Sequence, residues 1–192
     1  MRAVPLYTTV ALIASLAGAC SSNSMTHDAA GSEAGADTGV PDDCSTATSS
    51  VTISGALSGT RDGLPGTVTS WSSANDMTEV LMSASFGTPF YTGYSFLFPG
   101  KPSTTTYTDA TAGLSCGIIV GDSNLIGSGW RASKALMEDA DQGTCSLTFT
   151  SLTALPFPLT PTTYCAHGSV QATLPADPTL SSTGTVTLSA TF

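Results

Sequence analysis

Apolar and polar residues alternate with a period of two through much of this chain from Cys44 onward. The alternation is clearest in four segments, at 51–57, 80–86, 94–98 and 186–192. A period of two is typical of strands that bury one face. Short segments of this kind, separated by turn-forming Gly and Pro residues and with no long helical pattern, indicate an all-β fold. We predict an antiparallel two-sheet β-sandwich of about nine or ten short strands, spanning residues 44–192.

The segment 77–86 fits two patterns, because its apolar residues match one face of a strand or, with a different subset, one face of a helix. As a strand it places Met82, Ala84 and Phe86 on one buried face. The strand is favoured because residues 86–89, Phe-Gly-Thr-Pro, continue it with extended and turn-forming residues.

The N-terminal residues 1–19 have the pattern of a secretory signal peptide. Arg2 supplies a positive start, the run 10–16 is apolar but too short to cross a bilayer, and small residues at 17–19 suit cleavage. We therefore expect this segment to be removed and the rest of the chain to be exported.

The cysteine that follows the signal, Cys20, resembles the lipobox cysteine of bacterial lipoproteins, with Ala17 at the position where that family usually has leucine. The resemblance implies that the Cys20 sulfur is acylated, with palmitate among its acyl groups, and that Cys20 becomes the first residue of the mature protein. It also implies a cell-envelope location, with the membrane as a partner through the N-terminal lipid. Ser21 after the cysteine, in place of Asp, favours the outer membrane in that family.

Residues 20–43 are expected to form a disordered acidic tether between the lipid and the domain. Ser21 to Asp43 contains no aromatic residue, no Lys or Arg, and a single branched aliphatic residue, Val40. Such a segment cannot bury enough apolar surface to offset the entropy of ordering it.

The chain as a whole has a net charge of -9 and five Lys and Arg residues. Too few cations are present to neutralise phosphates, which excludes nucleic acid as a partner.

The chain has five cysteines: Cys20, Cys44, Cys116, Cys145 and Cys165. With Cys20 acylated, the other four can form two disulfides in an oxidising compartment, and three pairings are open. Cys145 and Cys165 flank a proline-containing connection, as residues of neighbouring strands would. Their parity nevertheless places them on opposite faces, so a direct bridge would need a bulge. We interpret the bridges as structural, since the chain has no Cys-x-x-Cys motif.

Residues 113–117, Gly-Leu-Ser-Cys-Gly, match the G-x-S-x-G string of serine hydrolases. That chemistry needs the serine on a strand-to-helix turn with a histidine base in reach. Residues 118–120 are β-branched and favour a strand, and His167 is the single histidine of the predicted domain. We therefore predict no enzyme activity and no catalytic residue, with a hydrolase acting through Ser115 as the weakest alternative.

Residues 138–143, Glu-Asp-Ala-Asp-Gln-Gly, form the densest acidic cluster. Carboxylates on a turn can bind calcium, but the ligand spacing of a calcium loop is missing. A solvated acidic turn is favoured, and we predict no metal site and no cofactor.

Trp71, Trp130 and Tyr91 are candidates for a ligand platform, with Tyr94 and Tyr107 as further aromatic residues. Flat aromatic faces can stack on sugar rings, although core packing is the default for each. The sequence therefore predicts a membrane-anchored envelope protein whose domain is a structural or interaction module. The alternative is a carbohydrate-binding module, so the partner is a protein or a polysaccharide.

Overall fold

The computed structural model describes residues 48–125, 127–135, 141–156 and 161–192, which all belong to one compact unit. The predicted signal peptide, Cys20, the tether and Cys44 lie outside the described residues, as do Glu138 and Asp139. The described residues form eleven strands and no helix, so the all-β prediction is confirmed, with more strands than the nine or ten expected. The strands are β1 (Thr48–Gly55), β2 (Gly59–Pro65), β3 (Val68–Ser72), β4 (Met77–Ser85), β5 (Phe90–Pro99), β6 (Thr106–Thr108), β7 (Ser115–Asp122), β8 (Trp130–Lys134), β9 (Thr144–Ala154), β10 (Thr162–Pro175) and β11 (Thr185–Thr191).

All strand pairs are antiparallel, and the sheet branches at the long strand β10. The first residues of β10, 162–164, pair with β3, whereas residues 169–175 on the same edge pair with β11. Strand β9 pairs along the other edge of β10. The first arm of the sheet has the order β2-β1-β11-β10-β9-β6, and the second arm has the order β3-β4-β5-β7-β8. Hydrogen bonds thus join the strands into one sheet, and the predicted division into two sheets is not confirmed.

Side chains alternate across the strands as the sequence predicts. In β1, Val51 and Ile53 are buried while Thr52 and Ser54 are exposed. One cluster of buried side chains takes residues from both arms of the sheet, so the arms share a core. Its members include Val51, Leu147, Val170 and Leu188 from the first arm and Val80, Phe96, Phe98 and Ile118 from the second. Full burial of each large apolar side chain is worth about 1.5–3 kcal/mol.

A disulfide between Cys116 of β7 and Cys145 of β9 joins the two arms, with the Cα atoms 6.6 Å apart. Both residues are buried. Cys145 pairs with Ala172 and Cys165 with Thr153, on opposite faces of the sheet, so the direct Cys145–Cys165 bridge that the sequence left open does not form. Cys165 is itself disulfide-bonded.

Strand β8, the last of the second arm, returns to the first arm. Isolated bridges link it to residues beside β10 and β9, as Trp130–Ala176 and Ser133–Gln142. Arg131 Nε lies 3.1 Å from Asp177 Oδ2. Hydrogen bonding from the Thr179 side chain lowers the pKa of Asp177, and the charge of Arg131 lowers it further.

Strand β4 is a strand as predicted, but its predicted buried face ends at Met82. The register with β5 shifts between Met82 and Ser85, where β4 carries one extra residue. A bulge of this kind interrupts the alternation of faces. Ala84 and Phe86, both predicted to be buried, are therefore exposed.

Candidate ligand site

The loop between β4 and β5 is held in place by Arg61 of β2. Arg61 Nη1 donates hydrogen bonds to the carbonyl oxygens of Ser85 and Phe90, each at 2.9 Å. Its Nη2 donates to Ser85 Oγ at 3.2 Å and to the carbonyl oxygen of Phe86 at 3.3 Å. The guanidinium also lies 5.9 Å from the centre of the Phe90 ring. A single charged group therefore binds the start, the tip and the end of this loop, and charge-assisted hydrogen bonds are the stronger kind.

The same loop is tied to the connection between β7 and β8. Ser123 Oγ donates a hydrogen bond to the carbonyl oxygen of Gly87, and the Ser123 amide donates to that of Pro89 at 3.3 Å. A Cβ atom at residue 87 would lie 2.6 Å from Arg61 Nη2, so a side chain there would displace the guanidinium from its present position. The loop, which includes a cis peptide bond between Thr88 and Pro89, is thus fixed from two sides.

Tyr91 covers a glycine on the neighbouring strand. Tyr91 of β5 pairs with Gly121 of β7, and a Cβ atom on Gly121 would lie 1.9 Å from the Tyr91 ring. The Tyr91 hydroxyl donates a hydrogen bond to the carbonyl oxygen of Ser128 at 3.3 Å. The ring of Phe86 is 5.6 Å away, at an interplanar angle of 32°. Gly121 therefore lets the Tyr91 ring lie flat across the sheet beside Phe86.

These residues line a cavity of about 440 Å³, which we call the aromatic cavity. Its wall consists of Phe86, Gly87, Tyr91, Asp122, Ser123, Leu125 and Gly127. The Phe86 side chain is 78% exposed. Asp122 Oδ1 accepts a hydrogen bond from the amide of Asn124 at 2.8 Å. The cavity thus combines two aromatic rings, one carboxylate and backbone polar groups, a set suited to binding an uncharged polar ligand with an apolar face.

The three predicted platform residues are not brought together. Tyr91 lies in the aromatic cavity, on the outward face of β5. Trp130 is 6% exposed, and its Nε1 donates to the carbonyl oxygen of Thr183 at 3.2 Å, so it belongs to the core. Trp71 lies at the other end of the second arm. Its Nε1 donates to Asp76 Oδ1 at 3.1 Å, and Lys101 Nζ lies 5.8 Å from its ring centre.

The two further tyrosines are buried. Tyr94 shares a hydrogen bond of 2.6 Å with the Thr67 hydroxyl, and burial raises the pKa of its phenol. Tyr107 stacks on Phe98 with ring centres 4.1 Å apart. Both rings therefore serve the core rather than a ligand surface.

The structure places Ser115 and His167 on different arms of the sheet. Ser115 is the first residue of β7 and pairs with Leu97, and the chain continues from it as a strand. Its neighbour Cys116 is held in the disulfide. His167 lies on β10 opposite Ser151. The strand-to-helix turn that a nucleophilic serine needs is absent from this described segment.

The described part of the acidic cluster is engaged with its neighbours. Asp141 accepts a hydrogen bond from Lys134 Nζ and another from the amide of Ala135 at 2.8 Å. The hydrogen bond from Lys134 lowers the pKa of Asp141. Asp141 therefore forms an ion pair with Lys134.

Asp109, Cys116 and Cys145 form a group of metal-ligating residue types within the described ranges. The two sulfurs are bonded to each other and offer no thiolate. Asp109 Oδ1 accepts a hydrogen bond from the Cys145 amide at 3.0 Å, which explains its position.

Among the residues that line or hold the aromatic cavity, the sequence identifies Tyr91 as a ligand candidate and does not identify Phe86, Arg61 or Asp122 as one. The alternation of residues 80–86 predicts a buried Phe86, because the bulge in β4 has no local signature in the sequence. Arg61 does carry a signal in the sequence, since the chain has five Lys and Arg residues in all. In the structure it lies within β2.

Within the ranges that the structure describes, no helix is long and apolar enough to cross a membrane. The chain matches no protein-family model, no curated protein and no solved structure.

Proposed function

We propose that this chain is a lipid-anchored protein of the bacterial cell envelope whose all-β domain is a non-catalytic binding module. The signal pattern of residues 1–19 and the cysteine that follows it support the anchor. The Cys116–Cys145 disulfide is compatible with a location outside the cytoplasm. With Cys20 acylated, Cys44 remains as the partner of Cys165, and this second bridge would join the tether to the domain.

The anchor is tested by metabolic labelling with a fatty-acid analogue. The wild-type chain takes up the label, and Cys20→Ala does not. A non-reducing peptide map of the same material should contain a Cys44–Cys165 peptide. A mature chain that begins at another residue, or a Cys20–Cys165 peptide, contradicts the proposal.

The two arms are proposed to face each other as the layers of a sandwich. This arrangement is supported by the shared core and by the disulfide between β7 and β9, two strands that do not pair with each other. It leaves the outward faces of both arms open to solvent and to partners.

The aromatic cavity is proposed to bind carbohydrate. The observation that carries this proposal is the exposed ring of Phe86, 78% exposed on a loop that Arg61 holds with four hydrogen bonds. An exposed aromatic ring forgoes about 1.5–3 kcal/mol of burial, so the fold itself gains little from it. Beside it, the Tyr91 ring can contact the apolar face of a sugar, and the Asp122 carboxylate can accept hydrogen bonds from its hydroxyls.

Affinity electrophoresis through gels that contain neutral polysaccharides tests this site. Dextran, mannan and hydroxyethyl cellulose should be compared, and at least one should retard the wild-type chain. Phe86→Ala and Tyr91→Ala should migrate as in a gel without polysaccharide. Leu180→Ala, which removes an exposed apolar side chain outside the cavity lining, is the control and should remain retarded. Retardation that survives both aromatic substitutions, or no retardation by any of the three polymers, contradicts carbohydrate binding at this cavity.

A further inference from the structure

The sheet forks along one edge of β10, and Cys165 lies at the fork. Strand β3 pairs with β10 up to Tyr164, and β11 pairs with it from Ser169 onward. Continuing the register of β3 places Cys165 opposite Val68. A cavity of about 160 Å³ lies at this point, which we call the fork cavity. Its lining residues are Thr67, Val68, Leu155, Thr163, Tyr164, Cys165 and Ala166.

Cys165 is more deeply buried than its place in the sheet explains. It lies on the outward face, because Cys145 on the neighbouring strand points into the core and the two cysteines are on opposite faces. The residues beside it on that face, Thr153 and Val68, are both exposed. Cys165 is nevertheless 6% exposed, and with Tyr164 it is one of two buried apolar residues of the described ranges that lie outside the shared core cluster. Something other than the shared core therefore covers this position on its outward side.

The disulfide of Cys165 identifies what lies there. Cys165 is disulfide-bonded, and Cys116 and Cys145 are bonded to each other. The partner of Cys165 therefore belongs to the N-terminal residues that precede Thr48. In the proposed anchor, where Cys20 carries the lipid, that partner is Cys44.

The chain that follows Cys44 has one short path. Ser49 Oγ lies 3.4 Å from Thr67 Oγ1, and Thr67 lines the fork cavity together with Cys165. An extended chain advances about 3.3 Å per residue, so the four steps from Cys44 to the start of β1 span at most about 13 Å. Both ends of this short connection lie at the fork cavity, so residues 45–47 run along it.

The chain that precedes Cys44 comes within reach of two exposed apolar side chains. Val68 and Leu81 pair across β3 and β4 and are 55% and 38% exposed. Their strands lie about 5 and 10 Å from β10. Four steps before Cys44 bring the chain up to about 13 Å from the bridge, to Val40, the single branched aliphatic residue of the tether. The most apolar position of the tether thus matches the distance to this exposed pair.

We propose that residues 40–47 cross the fork of the sheet as a strap. Its parts are the bridge between Cys44 and Cys165, residues 45–47 over the fork cavity, and Val40 against Val68 and Leu81. The lipid-bearing end of the chain then leaves the domain on the outward face of the second arm, the face on which Tyr91 lies. The inference rests on the proposed Cys44–Cys165 bridge and adds the path of the chain on both sides of it.

Amide hydrogen exchange in the full exported chain, purified in mild detergent, tests the strap. Relative to an unfolded chain of the same sequence, amides within residues 40–47 should exchange at least about tenfold more slowly, whereas those within residues 28–37 should exchange at the unfolded rate. Val40→Ser, Val68→Ser and Leu81→Ser should each remove the protection of residues 40–43. Three variants are used so that a folding defect in one, visible in its unfolding temperature, leaves the others to decide.

Leu180→Ser is the matched control, because Leu180 is 39% exposed, close to the 38% of Leu81, and lies outside the fork cavity. It should leave exchange in residues 40–47 unchanged. Exchange of wild-type residues 40–43 at the unfolded rate, or protection that survives all three substitutions, overturns the strap, while a Cys44–Cys165 peptide in the map leaves the bridge standing. Protection that is lost on dilution would identify a second copy as the cover of Val68 and Leu81 and would also overturn the strap. A Cys20–Cys165 peptide overturns the bridge and the strap together.

Discussion

The outward faces of the two arms differ in composition although both are built from antiparallel strands. On the first arm, many outward residues are hydroxyl-bearing or amide side chains in register across neighbouring strands. One row across six strands is Thr60, Thr52, Ser189, Gln171, Ser146 and Thr108. A second row across five strands is Ser50, Thr191, Ser169, Thr148 and Thr106. Neither row contains an apolar residue.

On the second arm, the outward face carries most of the exposed large apolar side chains of the described residues. Six of the seven lie on its strands or on the loops that join them: Val68, Leu81, Phe86, Leu97, Ile119 and Leu125. The seventh, Leu180, follows β10. Val68 and Leu81 are opposite each other in the register of β3 and β4.

The strands of the first arm form with polar residues on their solvent-facing side. Thr is enriched in strands, as Val and Ile are, and six of the eleven residues in the two rows of the first arm are Thr. Exposed apolar residues are therefore not required for the second arm to fold. Their concentration on one face of one arm is typical of a binding surface. Substitutions on the two sides of the second arm, and at the link between the arms, should therefore differ in their effects.

Substitutions at two adjacent residues of β5 should differ most in their effect on the free energy of unfolding. Phe96 is 1% exposed and Leu97 is 41% exposed. Phe96→Ala should lower the free energy of unfolding by about 4 kcal/mol, because it leaves a cavity in the shared core. Leu97→Ala should lower it by less than about 1 kcal/mol. Urea unfolding followed by tryptophan fluorescence measures both, and similar losses would contradict the assignment of Leu97 to an outward face.

The link between the arms gives the next effect. The disulfide closes a segment with a sequence separation of 29 residues. Replacing both Cys116 and Cys145 by Ala should lower the free energy of unfolding by about 3 to 4 kcal/mol, since the unfolded chain gains freedom. Urea unfolding under oxidising conditions measures this loss. A loss below about 1 kcal/mol would mean that the shared core alone holds the arms together.

The four hydrogen bonds from Arg61 to the β4–β5 loop, which we call the loop clamp, give a smaller effect on stability. Arg61→Met keeps the apolar stem and removes four hydrogen bonds, which should cost about 2 to 3 kcal/mol in total, at the low end of the range for each bond because Arg61 is half-buried. Amide exchange in residues 86–90 should rise, and retardation by polysaccharide should weaken because Phe86 is no longer held beside Tyr91. Lys101→Met is the control, since it removes a cation from over the Trp71 ring and leaves the loop clamp intact. Unchanged exchange in the loop of Arg61→Met would contradict the clamp.

The fold class follows from local patterns, and the candidate site does not. Alternation in β1 identified Val51 and Ile53 as buried. Alternation within β9 and within β10 placed Cys145 and Cys165 on opposite faces, as the strand register does. Each conclusion needs only the period of the strands on which the residues lie. The pairing of Cys116 with Cys145 joins strands far apart in sheet order, so no local pattern distinguished it from the other pairings.

Phe86 is exposed because an extra residue in β4 changes the face to which the following side chains point. That bulge depends on how β4 meets β5. The branching of the sheet at β10 also depends on which strands meet, because β3 and β11 both pair with the same edge of β10. A period of two identifies faces within a strand but carries no information about which strands meet.

The weakest predicted effect concerns the ion pair where β8 meets the segment after β10. The Thr179 side chain, and then the charge of Arg131, lower the pKa of Asp177 below its ordinary value of 3.8. A carboxyl whose pKa is lowered in the folded state adds stability above its unfolded pKa, and this stability is lost as the pH falls through the folded value. Asp177→Asn should therefore lower the unfolding temperature slightly at neutral pH, and the difference from the wild type should disappear as the pH falls below the folded pKa. Unfolding temperatures of both proteins across acidic and neutral pH measure this. A difference that stays constant through the acidic range would show that Asp177 stabilises the contact between the arms through its shape and hydrogen bonds rather than its charge.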